Sequence, residues 1–386
     1  MQIVQCFLES LKLGLTSFGG PVAHLGYFRH AYVERLKWLD EEEFAELLAL
    51  CQFIPGPASS QLGALIGHKR GGLFGAVASW IGFTLPSAAI MIALVLGLAP
   101  LTEAIGSGWI EGLKLAAVAI VALAVHGMAQ KLCTGKVHLG IAVLSLILIV
   151  TLAQAWAQPL VILVGGAVGA ILIKMKPEGV ASKRVKLPVA SFVAALVFVA
   201  AVASLPALKN LGCIDAASAG LLRAGSLVFG GGHVVLPLLE QSFVAGGVME
   251  QEVFLAGYGM AQAVPGPMFT LASYLGAVSQ IGGGTVIGGL LGTLAIFAPG
   301  MLLLVIGIPM WNWLKQLPRA KSAVQGANAA VVGLLAAALL HLGTTGVMHS
   351  MVDLGFVVVV GIALWSKKVP TWAIVLIAAV AGNLLF

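Results

Sequence analysis

KLGLTSFGGPV (Lys12–Val22) and RAGSLVFGGGHV (Arg223–Val234) are one motif written twice in this chain. Lys12 aligns with Arg223, Gly14 with Gly225, and Phe18-Gly19-Gly20 with Phe229-Gly230-Gly231, all at an offset of 211. A second motif follows each copy. CQFIPGP (Cys51–Pro57) pairs with AQAVPGP (Ala261–Pro267) at an offset of 210. Further landmarks keep the same order: Pro86 with Pro299, Gly112 with Gly326, and Pro159 with Pro370. Internal self-similarity of this kind marks a duplicated unit. The chain therefore divides into a first repeat, 1–175, a basic loop with a linking helix, 176–211, and a second repeat, 212–386.

Composition says what the repeat is made of. Hydrophobic residues are 60% of the chain and charged residues 9%, against about 25% charged in soluble domains. The mean hydropathy is +1.04. The apolar runs reach the ~20 residues of a spanning helix rather than the ~10 of a barrel strand. The fold class is an all-α polytopic membrane protein. Secreted disulfide scaffolds, nucleic-acid binders and soluble enzymes are excluded. Cys6, Cys51, Cys133 and Cys213 show no metal or disulfide spacing. Glu9 and Lys12 interrupt the place where the apolar core of a signal peptide would lie.

Loop charge orients the helices. The first repeat predicts spans at about 72–100, 108–131, 138–157 and 159–174. Its basic loops carry Lys69 and Arg70, then Lys131 and Lys136, then Lys174 to Lys186, while 100–108 and 153–159 have no cation. In the second repeat 280–284 and 343–351 have none, whereas Lys315, Arg319, Lys321, Lys367 and Lys368 are basic. Basic loops stay in the cytoplasm. Each loop then lies opposite its homologue, and the lone span 187–206 is what turns the second copy over. The expectation is two inverted-topology repeats, the plan common among secondary transporters. The N-terminus is expected inside and the C-terminus outside a bacterial plasma membrane.

The remaining segments are broken. Arms 2–17 and 22–38 flank Phe18-Gly19-Gly20-Pro21, and arms 42–54 and 58–68 flank Pro55-Gly56-Pro57. They are shorter than a spanning helix, so each repeat should hold two re-entrant or broken hairpins, beside nine full spans in all. Broken backbone at membrane depth survives only against protein or a watery cavity. It leaves amide donors at the start of the second arm, where the helix dipole also favours an anion. Pro57 and Pro267 suit the first turn of those arms. Ser59 and Ser60, and Thr270 in the second copy, add hydroxyls. Gln52 and Gln262 each precede a Pro-Gly-Pro break by three residues and could serve the ligand or the freed carbonyls. His233 follows the second glycine run and could face the ligand or a carbonyl.

Lys12 and Arg223, six residues before the Phe-Gly-Gly breaks, are candidate counter-charges for one shared anion, with snorkelling to an interface as the other reading. Glu9 is expected to pair with Lys12 at i+3. Glu111 and Lys114 should satisfy each other, and the Asp40–Glu43 run reads as a solvated helix start. No nucleophile, metal cluster, acid pair or phosphate-binding loop appears, so neither enzyme chemistry nor a cofactor is expected.

Repeated FGGP/FGGGH and PGP motifs over a chain of this length resemble the chromate ion transporter family in its long, two-domain form. The resemblance covers essentially the whole chain. It implies chromate export and chromate resistance, and it keeps sulfate, a near isostere, open as competitor or related substrate. It points to Phe18, Gly19, Gly20, Pro21, Pro55, Gly56 and Pro57, and to Phe229, Gly230, Gly231, Pro265, Gly266 and Pro267. Gly232-His233 in place of Pro21-Val22 makes the two half-sites unequal. Short family members carry one half and work in pairs; a homodimer of the long form stays open. The lipid bilayer is the one other partner expected. An inside-negative potential of about 100 mV drives a dianion outward by roughly 4.6 kcal/mol, so export needs no coupling ion. A sulfate or other oxyanion transporter and an anion channel are the alternatives.

Overall fold

The computed structural model describes residues 1–152, 157–174, 189–228, 235–314, 317–344, 348 and 350–386. The expected Phe229, Gly230, Gly231 and His233 therefore fall outside the described residues, as does most of the basic loop before the linking helix. No strand occurs among the described residues.

The first repeat opens with α1 (Gln2–Thr16) and α2 (Gly20–Phe28), the latter running on into a π-helical stretch, Arg29–Arg35. Then come α3 (Glu41–Phe53), α4 (Ala58–Ile105), α5 (Gly108–Leu132), α6 (Lys136–Leu152) and α7 (Ala157–Leu172). The linking helix is α8 (Val189–Asn210). The second repeat is α9 (Ala216–Leu227), α10 (Val235–Phe243), α11 (Gln251–Ala263), a 3-10 turn (Met268–Thr270) with α12 (Leu271–Val278), α13 (Thr285–Leu314), α14 (Pro318–Thr344), α15 (Met351–Ser366) and α16 (Thr371–Leu385).

The helices break where glycine and proline predict. α4 is non-helical at Gly71 and Gly72, and the chain folds back there. Residue 67 consequently lies against residue 75. Segment 58–70 is thus the second arm of a hairpin, and 73–105 is the long span. The solvated start at Asp40 is a capping box: Glu43 N–H donates to Asp40 Oδ1 at 2.8 Å, and Asp40 N–H to Glu43 Oε2 at 3.2 Å. This closes two orphan helix donors.

Among the described residues five helical stretches are long and apolar enough to cross a bilayer, at 58–98 (of which the part after the Gly71–Gly72 fold-back is the span), 108–132, 189–210, 285–311 and 319–342. Four of them are two homologous pairs, and α8 is the unpaired link. α8 is almost wholly exposed along its length, as befits a helix set among lipid rather than in a core. Of the nine full spans expected, these five have spanning length among the described residues. α15 and α16 are 16 and 15 residues long, roughly 22–24 Å at ~1.5 Å per residue. α6 ends and α7 begins at the edge of the described residues.

The core is made by exchange between the repeats. α5 of the first packs on α16 of the second, and α14 of the second packs on α7 of the first. Both crossings are glycine against glycine. A Cβ at Gly112 would sit 2.1 Å from the Ala378 carbonyl oxygen, and one at Gly382 2.5 Å from Gly112 Cα. A Cβ at Gly326 would sit 2.2 Å from the Gly165 carbonyl oxygen, and one at Gly169 2.7 Å from Gly326 Cα. Such close backbone approach is how helices associate where lipid removes the hydrophobic drive. Two equivalent crossings, each made by one helix from each repeat, are what a twofold axis between the repeats generates.

Candidate functional site

Each repeat ends its first helix in extended backbone just before the Phe-Gly-Gly motif. Ser17 closes α1 at φ −85°, ψ 100°, and Val228 closes α9 at φ −72°, ψ 119°. Ile54 (φ −88°, ψ 136°) and Val264 (φ −89°, ψ 137°) do the same before the Pro-Gly-Pro turns. Four helix ends therefore expose carbonyls that their own helices cannot satisfy.

The repeats satisfy two of them for each other. Gly56 N–H donates to the Val228 carbonyl at 2.7 Å, and Gly266 N–H donates to the Ser17 carbonyl at 2.8 Å. The Pro-Gly-Pro turn of each repeat thus holds the Phe-Gly-Gly break of the other. Long helices close the junction. A Cβ on Gly266 would lie 2.8 Å from Ser87 Oγ, and one on Gly56 2.9 Å from Gly300 Cα. Ser87 and Gly300 each follow a helix proline, Pro86 or Pro299, by one residue. The breaks thus meet as two cross-repeat junctions, Gly56 with Val228 and Gly266 with Ser17.

The expected residues fall into three groups. Gly19, Gly20, Pro55, Gly56, Pro265 and Gly266 lie in the turns, and Pro57 and Pro267 cap the arms that follow rather than opening their first turns. Gly19 (φ 95°) and Gly20 (φ 74°) start α2, with Pro21 in its first turn. Phe18 turns to Trp372 at the start of α16, with ring centroids 5.4 Å apart. Ser59 and Ser60 are buried in the first turn of α4, and Ser60 Oγ has no hydrogen-bond partner. Its counterpart Thr270 is committed, donating from Oγ1 to the Pro267 carbonyl at 2.8 Å. Gln262 Nε2 lies 3.2 Å from Met268 Sδ.

Two of the expected site residues, Lys12 and Gln52, are exposed. The Lys12 ammonium lies 2.8 Å from Glu9 Oε1. Arg35 contacts the other Glu9 oxygen at 2.5 Å. α1 and the 29–35 stretch thereby join an ionic belt that includes Arg29 with Glu34 and Glu41, and Lys69 with Glu43. Lys12 has Glu9, one turn earlier on the same helix face, as its partner, the local pairing expected from their i,i+3 spacing. Arg223 differs from it, being half-buried and 3.4 Å from Ser242 Oγ. Gln52 is exposed on the last turn of α3. The glutamine that serves the break is Gln61, buried one turn into α4. Its Nε2 donates to the carbonyls of Pro55 at 3.0 Å and Gly300 at 2.9 Å. Outside the breaks, Lys114 is buried and paired as expected with Glu111 at 2.5 Å, and also with Glu252 of the second repeat at 3.3 Å.

Ser17, His24 and Thr84 were not among the residues expected at the site. They are 0%, 0% and 3% exposed. Neither the two hydroxyls nor either imidazole nitrogen has a hydrogen-bond partner of normal geometry. The His24 ring stands edge-on to Phe83, with centroids 5.3 Å apart, and faces the Ser17 backbone. Spacing could have flagged His24, which follows the first glycine break as closely as any polar residue of α2.

The family profile described as chromate transporter matches residues 4–170 and again 216–383. A chromate transport protein of Pseudomonas aeruginosa is 26% identical over all of this chain and 93% of its own length. A probable chromate transport protein of Synechococcus elongatus is 28% identical over 99% of this chain and 94% of its own. The uncharacterized transporter YwrB of Bacillus subtilis is 28% identical over 44% of this chain and 86% of its own length. A stretch as long as one repeat thus corresponds to nearly all of that protein. No solved structure matches the chain.

Proposed function

The chain belongs to the chromate transporter family, and from that premise we propose that it exports chromate across a bacterial plasma membrane and so confers chromate resistance. The observation that carries the reading is the pair of cross-repeat junctions at the helix breaks, Gly56 on Val228 and Gly266 on Ser17. It concentrates amide donors and hydroxyls between two repeats that can move against each other. Helix N-termini favour anions, and a tetrahedral dianion takes donors from several directions. We place the substrate against Gly19, Gly20 and the Pro55–Pro57 and Pro265–Pro267 turns, with the half-buried Arg223 of α9 as candidate counter-charge. Outward movement follows from charge: a dianion leaving an interior at about −100 mV gains roughly 4.6 kcal/mol, more than a thousandfold in concentration.

The test is chromate flux in inverted vesicles with the potential clamped. Accumulation should rise as the vesicle interior is made positive, the outward direction in the cell, and saturate with chromate. Competition by sulfate at equal concentration would broaden the substrate to oxyanions. Unitary currents in a planar bilayer would make the protein a channel. No potential-dependent uptake would sink the reading.

The topology belongs to the same proposal, with repeats 1–175 and 212–386 inverted by the linking region 176–211, the N-terminus inside and the C-terminus outside. Ser107 and Ser366 are both exposed helix-end residues. With the four native cysteines replaced by serine, Ser107→Cys should react with a membrane-impermeant maleimide in intact cells, and Ser366→Cys only after lysis. Labelling of Ser366→Cys from outside would contradict the inversion.

A further inference from the structure

The two junctions across the twofold are built alike but lined differently. At the positions of Ser17, His24 and Thr84 the second repeat carries Val228, Val235 and Phe297. All three are fully buried. Val228 accepts its cross-repeat bond from Gly56 as Ser17 does from Gly266. The fold therefore needs no hydroxyl and no imidazole at these places, because apolar side chains build the same contact. Yet the first repeat buries two hydroxyls without partners and an imidazole set against the Ser17 backbone, and each unpartnered group costs stability. Buried orphan polar groups in a native protein call for a reason beyond packing.

We propose that Ser17, His24 and Thr84, with the first-turn amides of α2, form the oxyanion-binding position of the transporter, and that it opens when the Pro265–Pro267 turn leaves Ser17. This inference rests on the transport reading and adds to it which of two related junctions takes the anion. The chemistry of the set fits one ligand class. Two hydroxyls and a neutral imidazole N–H donate, as do the amides at the positive end of α2, and no carboxylate is among them. A tetrahedral oxyanion accepts from all of them. The counterpart's free side-chain groups differ. Gln61 commits both contacts of its amide nitrogen to backbone and leaves only an acceptor, Oε1. Among the described residues, Ser60 Oγ is the unpartnered hydroxyl it adds.

Access follows from burial. With all three side chains at 3% exposure or less, the position is sealed in this conformation. Its cover is the turn whose Gly266 N–H bonds the Ser17 carbonyl. A Cβ on Gly266 would also stand 3.2 Å from the Gly14 carbonyl oxygen, so the turn lies flat on the end of α1. Movement of the Pro265–Pro267 turn off the end of α1 breaks the Gly266–Ser17 backbone bond and uncovers Ser17.

The experiment uses the purified full-length protein in nanodiscs, titrated with chromate and separately with sulfate. Ser17→Ala, His24→Gln and Thr84→Val should each weaken chromate binding by about tenfold or more. Their melting temperatures should stay level or rise, because the first and last remove an unpaired buried group and replace it with apolar atoms. Unchanged affinity in all three variants overturns the proposal. So does a drop in melting temperature in Thr84→Val that accompanies the affinity loss, since it assigns the hydroxyl to the fold. Wild-type protein that binds sulfate but not chromate, with the variants losing sulfate, leaves the pocket standing and removes the chromate reading. Wild-type chromate flux that persists in all three variants does the opposite.

Discussion

Gly56→Val should abolish transport, and Gly266→Val should come close to doing so, while both proteins still insert. Gly56 has φ 134° and Gly266 φ 96°, a region that a β-branched residue enters only under strain of about 1–3 kcal/mol. The surroundings add a second cost. A Cβ at Gly56 meets Gln61 Nε2 at 2.5 Å and Gly300 Cα at 2.9 Å. One of these is backbone of the other repeat. The other is the amide that holds the Pro55 and Gly300 carbonyls. At Gly266 the nearest obstacle is Ser87 Oγ at 2.8 Å, a hydroxyl that can rotate, with the Gly14 carbonyl oxygen next at 3.2 Å. An order follows: Gly56→Ala should lose more flux than Gly266→Ala, and valine should remove nearly all of it at either position. Flux per inserted protein in inverted vesicles measures both. Normal chromate flux by well-inserted Gly56→Val protein would show that the turn need not hold its cross-repeat bond during transport.

The breaks were legible because proline and glycine act locally. Pro55-Gly56-Pro57 stops a helix in any surroundings, and the same letters at 265–267 stop another. Side-chain roles at the breaks were less legible, because they depend on which face of a helix meets the other repeat. Gln52 and Gln262 looked equivalent by spacing. Gln52 lies on the outer face of α3, while Gln61, with no counterpart in the second repeat, turns inward and binds two carbonyls. Lys12 matched Arg223 in register, but Glu9 stands one turn before it and pairs with it. Ser17 and Thr84 carry no motif. Only the cross-repeat contact shows that Ser17 meets the Gly266 turn, and only the valine and phenylalanine at their counterparts show that the fold does not require the two hydroxyls. The exchange of α5 and α14 between repeats was equally hidden. Gly112 and Gly326 aligned as landmarks, but nothing in the alignment says that each lies against the opposite copy.

That exchange sets the last expected result. Leucine at Gly326 would drive its first carbon into the Gly165 carbonyl oxygen, 2.2 Å away, with Gly169 Cα at its other side. Both obstacles are backbone of α7, so the helices must separate, at a cost of about 3 kcal/mol or more. Gly112→Leu meets the Ala378 carbonyl oxygen at 2.1 Å on α16 and should cost a similar amount, because the twofold makes the crossings equivalent. Each variant should lower the melting temperature and transport together. Cutting the chain separates damage to one repeat from damage to the union of two. Fragments 1–180 and 181–386, co-expressed, should co-purify, since α5 has its partner in the second fragment and α14 in the first. The precedent is a relative that matches over one repeat's length and most of its own. Gly326→Leu in the second fragment should abolish co-purification, because its α14 loses α7 and not a neighbour in its own repeat. Retention of the mutant fragment on its partner would mean that the repeats cohere through the breaks alone, with the glycine crossings a secondary contact.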